Sequence, residues 1–268
     1  ILVVKEGWSM WLAAPLGVVA AGAGGALLGL TTLRLRADYF AIVTIAFSEI
    51  IRYVATNENS LTGGSQGTIA LGKVGTASQY NGQWASFQGR VQHALGFSSS
   101  DATMLVLVWG VAIVLLTLTW LAVRTPWGRV LRSIRDDEDA AASLGKNVFA
   151  YKLQALALGA ALGGVAGLFY AWEFSFFSPT DFEPLLTFFA WMILLLGGVG
   201  RVFAVPVGAL VFGVIFAGTR FLNFAPFSWF ASDERAYLRL IIIGTIILLL
   251  VVLRPQGLLG NKREMVLE

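Results

Sequence analysis

Trp127–Asn147, WGRVLRSIRDDEDAAASLGKN, is a polar island between two long apolar runs, and its reading decides how the rest of the chain is arranged. Leu131, Ile134, Ala141 and Leu144 recur at spacings of three and seven, which predicts one apolar stripe with arginines and carboxylates pointing elsewhere. Asp136 stands at an N-cap position, and Asp137, Glu138 and Asp139 follow in the first turn, where the positive end of a helix favours acids. Gly145 and Lys146 close the far end. The pattern predicts a helix of about two turns over Asp136–Gly145, outside the bilayer and built as a protrusion.

What flanks the island makes the bilayer necessary. Of 268 residues, 57% are hydrophobic and only 13% charged, with nine Trp and nineteen Phe, and the mean hydropathy is +0.74. No soluble domain has that balance. Runs at Ser9–Thr32, Leu33–Asn57, Ala102–Val123, Phe149–Trp172, Leu185–Leu196, Val202–Leu222 and Ala236–Leu253 predict an all-α, polytopic membrane bundle of about seven spans in a single permease-like domain. Leu185–Leu196 is short, about 18 Å at helical rise against a core of about 30 Å, so it is either an extension of the preceding loop or a re-entrant half-helix. The chain begins at Ile1, without a methionine and just before an apolar run, so further N-terminal spans are expected ahead of it.

Orientation follows from charge. If all seven runs cross, Arg34, Arg36, Arg124, Arg129, Arg132, Arg135, Lys146, Lys152, Arg201, Arg254, Lys262 and Arg263 share one side, twelve of the nineteen Lys and Arg. That side, with the island (124–148) and the basic tail (254–268), is predicted to be cytoplasmic. A re-entrant Leu185–Leu196 narrows the balance to eleven against eight. The net charge of +3 is explained by these loops and needs no nucleic acid.

Several stretches carry polar or glycine signals of their own. Gly17, Gly22, Gly24, Gly25 and Gly29 in the first run, and Gly159, Gly163 and Gly167 at four-residue steps in the fourth, predict helices that approach closely in lipid. Glu49 and Arg52, three apart in the second run, can pair with each other, sit at the head groups or touch a solute. Residues 58–101 predict an extracytoplasmic loop, with or without a re-entrant piece, containing the Thr62-Gly63-Gly64 turn and the single histidine, His93. Asp181 and Glu183 lie in an acidic loop. Gly197-Gly198 opens a break of the kind transporters place at membrane depth, although a short cytoplasmic turn would look the same.

The chain has no cysteine, no His–carboxylate pair, no metal-ligand spacing and no GxxxxGK phosphate loop. It therefore predicts no catalytic residue, no metal and no cofactor of its own, and ATP-driven work would have to enter from another protein.

LRLRADYFAIVTIAFSEIIR followed by LTGG, then the island continuing into KNVFAYKLQALALGAALGGVAGLFY, then FSPTDFEPLLTFFAWMILLLGGVGR, and finally RPQGLLG resemble, in order from Leu33 to Gly260, the LivM-type permease subunits of bacterial branched-chain amino acid ABC importers. The resemblance implies a type II ABC importer-like fold in the inner membrane. It also implies a second, LivH-like permease subunit, two ABC ATPases that bind the ATP, and an extracytoplasmic solute-binding protein. The island would then be the coupling segment that docks on an ATPase. Arg132 and Arg135 would meet the ATPase rim, Ala141 and Leu144 would fill its groove, and Asp136, Asp137, Glu138 and Gly145 would shape the helix. Tyr39, Thr44, Glu49, Thr62, Gly63, Gly64, Gly197 and Gly198 are the pathway candidates.

Ala37 stands where the family usually has glycine, Ser65-Gln66 where Pro-Asn is common, and Arg201 where a small residue is usual. These differences bear on the solute, so a urea or short-amide importer is the alternative within the resemblance, and an ion-coupled secondary transporter the alternative outside it.

Overall fold

The computed structural model describes residues 1–3, 6–35, 37–67, 76–174, 178–218, 237–238, 241–242, 244–245, 248–249, 252–253 and 257–260. The expected loop Asn223–Arg235, most of the expected span Ala236–Leu253 and most of the tail lie outside them. Among the described residues the chain is helical, and four helices are long and apolar enough to cross a membrane. These are α1 (Met10–Thr32), α2 (Ala37–Asn57), α5 (Ser100–Arg124) and α8 (Val148–Phe174). Between them lie α3 (Asn59–Thr62), α4 (Thr76–Leu95), α6 (Pro126–Asp136) and α7 (Glu138–Ser143), and beyond them α9 (Pro184–Gly197) and α10 (Ala204–Gly218). The chain divides into two compact units, Ile1–Pro184 and Leu185–Glu268.

In the first unit α1 lies antiparallel along α8, with Gly29 against Leu153 and Leu156 at one end and Gly17 against Leu168 toward the other. Lipid offers no hydrophobic reason for two apolar helices to associate, so backbone proximity has to supply the contact. It does so through missing side chains. A Cβ on Gly25 would stand 2.4 Å from that of Ala160, and one on Gly164 would stand 2.8 Å from that of Ala21. The seam on α8 is thus Leu153, Leu156, Ala157, Ala160, Ala161 and Gly164. The GxxxG face predicted from Gly159, Gly163 and Gly167 points away from it and meets nothing within 4 Å, as does Gly24 of α1. Four-residue glycine spacing located a face suited to close packing, but the alanine-rich face beside it makes the contact within this unit.

Residues 58–101, expected as a loop, contain the 20-residue helix α4, and His93 lies in its last turn. Trp84 of α4 stacks on Trp172 with ring centroids 4.3 Å apart, and Phe87 meets Trp11 edge-on at 5.0 Å. The Met10 amide donates to Gln83 Oε1 at 2.8 Å. Val3, Met10, Trp84 and Met104 are buried together there, flanked by Phe169 and Trp172. This aromatic cap joins the first turns of α1 and α5 to the last turns of α8. Trp at a membrane–water boundary has an apolar body and a polar edge that suit such a place.

The second unit contains a tight hairpin. Gly197, at the end of α9, is so close to α10 that a Cβ would stand 2.2 Å from the Ala204 carbonyl oxygen; one on Gly208 would stand 2.1 Å from that of Ile193. Phe189, Phe212 and Phe216 stack along the same contact. The amides of Leu258 and Leu259 donate to the carbonyls of Leu196 and Gly197 at 2.9 Å, supplying donors that a helix end otherwise lacks. Gly257 adopts φ +74°, and a Cβ there would stand 2.6 Å from Gly198 Cα.

The seam gives a test. Gly25→Val should lower the stability of the detergent-purified protein by about 1 to 3 kcal/mol through overpacking, whereas Gly163→Val should change it by less than about 0.5 kcal/mol. Thermal unfolding midpoints of the two variants compare them directly.

Candidate functional site

The island folds as two helices with a break at Asp137. Thr125 is extended and Pro126 occupies the first position of α6, where its missing N–H costs nothing. The elbow between α5 and α6 is so sharp that a Cβ on Gly128 would stand 2.2 Å from the Val123 carbonyl oxygen. Arg132 reaches back across this elbow, its Nη2 donating to Val123 O at 2.9 Å. Arg129 donates to Arg124 O at 3.4 Å, and the Arg124 guanidinium lies 3.6 Å from the Trp120 ring centroid. Three arginines therefore gather at the carbonyl end of α5, where cations are favoured.

Asp137 is the N-cap of α7: its backbone is extended and its carboxylate accepts from the Ala140 amide at 2.9 Å. Asp136, expected in that role, is instead the last residue of α6 and accepts from the Arg135 guanidinium at 3.2 Å. Two adjacent aspartates offered either choice, and the extended backbone at Asp137 separates them. At the far end the Lys146 amide donates to Ala141 O and the Gly145 amide to Ala142 O, with Gly145 at φ +76°. That is a Schellman closure, and it needs the left-handed residue that Gly145 supplies. Asn147 then caps α8 by accepting from the Ala150 amide at 3.1 Å.

The break alters which side chains face outward. Ala141 is 2% exposed, turned into its own chain, so it cannot fill a partner's groove as expected; Leu144 is 77% exposed. Arg132 is committed to the elbow rather than free for an ATPase rim, while Arg135 and Asp136 stand on the outer surface beside each other. Glu138 forms an ion pair with Lys152, and Trp127 Nε1 donates to Gln154 Oε1 at 2.8 Å. Both α6 and α7 are thereby tied to the first turns of α8.

At the other end of the first unit the pathway candidates separate. The Thr62 hydroxyl donates to backbone carbonyls of Ala55 and Glu58, each at 2.5 Å. Gly63 and Gly64 are buried with φ of +79° and +60°, and a Cβ on Gly64 would collide with Asn59 Oδ1 at 1.9 Å. These three residues fold the chain back over the end of α2, as the sequence TGG permits. Gly197 and Gly198 serve the hairpin described above. Tyr39 is 61% exposed, on the side of α2 that carries Ile42, Ile50 and Tyr53.

Glu49 stands one turn before Tyr53 on that side and Thr44 lies on the other; both are half-buried. Glu49 accepts from Arg52 at both oxygens: Nε at 3.0 and 3.1 Å, and Nη2 at 2.6 Å. Arg52, not among the pathway candidates, is therefore part of the same feature, and the three-residue spacing is its signal. A short 3-10 turn, Pro179–Phe182, packs on this end of α2 with a capping box in which Asp181 Oδ2 accepts from the Ser178 amide at 2.7 Å.

The model of the family described as branched-chain amino acid transport system, permease component, matches residues 1–251. The chain belongs to that family. The chain is 31% identical to the high-affinity branched-chain amino acid transport permease LivM of Salmonella typhimurium, and equally to that of Escherichia coli K12, over 96% of its own length and 59% of theirs. It is 25% identical to a probable LivM of Methanocaldococcus jannaschii, over 94% of this chain and 67% of the relative. LivH of Escherichia coli K12 is 30% identical over 76% of the chain and 59% of the relative. The chain thus spans about three-fifths of the length of the first relatives it matches. No solved structure matches.

The cap assignment is testable by hydrogen exchange. Asp137→Ala removes an N-cap worth about 1 kcal/mol and should speed amide exchange across 140–145 about fivefold. Asp136→Ala should leave those amides unchanged.

Proposed function

We propose that this chain is the membrane-embedded subunit of an ATP-driven importer, contributing to the pathway for small amino acids, branched-chain ones foremost. A LivH-like permease subunit would complete the pathway, two ABC ATPases would bind the ATP, and a soluble extracytoplasmic protein would deliver the solute at a bacterial inner membrane. Relatives named as branched-chain amino acid transport permeases support the solute class. The observation that carries the mechanical part is the α6–α7 knuckle: a bare Leu144 at its tip, and rigid ties from its base to α5 and α8.

In this reading an ATPase closes on Leu144, Arg135 and Asp136, with the leucine as the apolar anchor and the charges at the rim. Movement of the knuckle then passes through the Gly128–Arg132 elbow into α5, and through Glu138–Lys152 and Trp127–Gln154 into α8. Alternating access follows from the tilting of those two spans. The chain itself supplies no phosphate loop, so hydrolysis belongs to its partners.

Leu144→Asp should lower ATP-dependent uptake by reconstituted vesicles at least about tenfold, because a hot-spot side chain is replaced by an unpaired charge. The four-span unit should keep its unfolding midpoint. Uptake at the wild-type rate would remove the knuckle from the mechanism.

A further inference from the structure

α2 differs from the other three spans in its charges. α1 has no charged residue, and those of α5 and α8 lie within their terminal turns. In α2, Thr44, Ser48, Arg52 and Thr56 follow one another at four-residue steps, with Glu49 beside them, so one face carries three hydroxyls and an ion pair. Ile42, Val43, Ile50 and Val54 lie on the outward apolar side. Glu49 is eight residues from the end of the helix, about 12 Å at helical rise. Its carboxylate therefore stands more than two turns inside the end of α2. Arg52 also turns toward the membrane centre to reach Glu49, the reverse of the snorkelling that an arginine near a span's end shows against lipid.

The pair is half open, with side-chain exposures of 25% for Arg52 and 34% for Glu49. The hydroxyls donate to their own helix, Thr44 to Ala41 O at 2.9 Å, Ser48 to Ile45 O at 2.8 Å and Thr56 to Arg52 O at 2.8 Å. Their oxygens remain as acceptors along the stripe. Glu183, just after the Pro179–Phe182 turn, is close enough to act on the charge of Arg52. Glu49 and Arg52 thus offer one carboxylate and one guanidinium side by side, a set that can bind one cationic group and one anionic group together.

We propose that Glu49 and Arg52 form a head-group site for a zwitterionic amino acid. It rests on the permease reading above and adds the chemistry that selects the solute. Empty, the pair is its own counter-charge, and the pathway presents no bare ion. Occupied, Arg52 turns its two-pronged guanidinium to the solute carboxylate, and Glu49 receives the ammonium. Ion contacts are exchanged rather than lost. A neutral amide or urea lacks both charges and cannot open the pair.

The test uses the complete transporter in proteoliposomes with labelled leucine, reading both uptake and binding-protein-stimulated ATP hydrolysis. Glu49→Gln and Arg52→Gln should each cut uptake about tenfold or more while stimulated hydrolysis continues, and the double variant should stay as low as the singles. A pair that is only structural behaves otherwise: once both charges are gone no unpaired ion remains, and uptake recovers in the double variant. Such recovery, or wild-type uptake in the single variants, overturns the site and leaves the importer assignment standing. Arg52→Lys keeps the charge but not the fork, and decides the matter if the neutral variants do not assemble: about tenfold lower uptake supports the site, and unchanged uptake overturns it. A wild-type complex that hydrolyses ATP but carries no amino acid overturns the importer assignment, and this site with it.

Discussion

The first unit depends on one constraint: two apolar helices surrounded by lipid hold together only where their backbones can touch. Gly25 and Gly164 meet that condition on opposite sides of the α1–α8 seam, against Ala160 and Ala21. Everything else in the unit is referred to this pair. The aromatic cap is assembled on the end where Met10 and Trp172 come together, and the knuckle is tied to the end where Gly29 meets Leu153. α8 is therefore a continuous 27-residue rod with the knuckle attached at its start and a Trp-stacked clamp at its finish. In the proposed mechanism a displacement at Lys152 need not be relayed by side chains across the bilayer, because a helix of that length moves as a body.

The knuckle shows how local hydrogen-bond accounting fixes what a surface can do. The break at Asp137 is stabilised on one side by its own carboxylate and followed, eight residues on, by a glycine that permits a left-handed turn. Those two devices set the rotation of α7, and that rotation puts Ala141 inside and Leu144 outside. Arg132 is drawn inward by a different need, the unsatisfied carbonyls where α5 ends. The outward surface that remains is small, apolar at its tip and charged at its edges.

Much of this was legible in the sequence because bilayer thickness and backbone satisfaction leave few choices. The apolar runs at Ser9–Thr32, Ala102–Val123 and Phe149–Trp172 correspond closely to α1, α5 and α8, and the Glu49–Arg52 ion pair is one of the three readings that their spacing allows. Two expectations failed for identifiable reasons. Glutamine, serine and glycine lower the hydropathy of residues 76–95 and give the stretch the look of a loop, yet Trp84 and Phe87 three apart give the helix a face to bury. Ala141 and Leu144 were assigned to one stripe, which holds only if the helix is unbroken from Leu131 onward. Several glycines singled out as possible ligand contacts, Gly63, Gly64, Gly197 and Gly198, proved to be needed by the backbone itself. A sequence names the residue that permits a close approach but not the atom that makes it.

The two amides that Leu258 and Leu259 lend to the end of α9 come from far along the chain. During synthesis α9 and α10 enter the membrane well before that segment leaves the ribosome, so the carbonyls of Leu196 and Gly197 must wait for their partners. The end of α9 is thus closed by a segment made about sixty residues later, at the point where Gly257 lets the backbones touch.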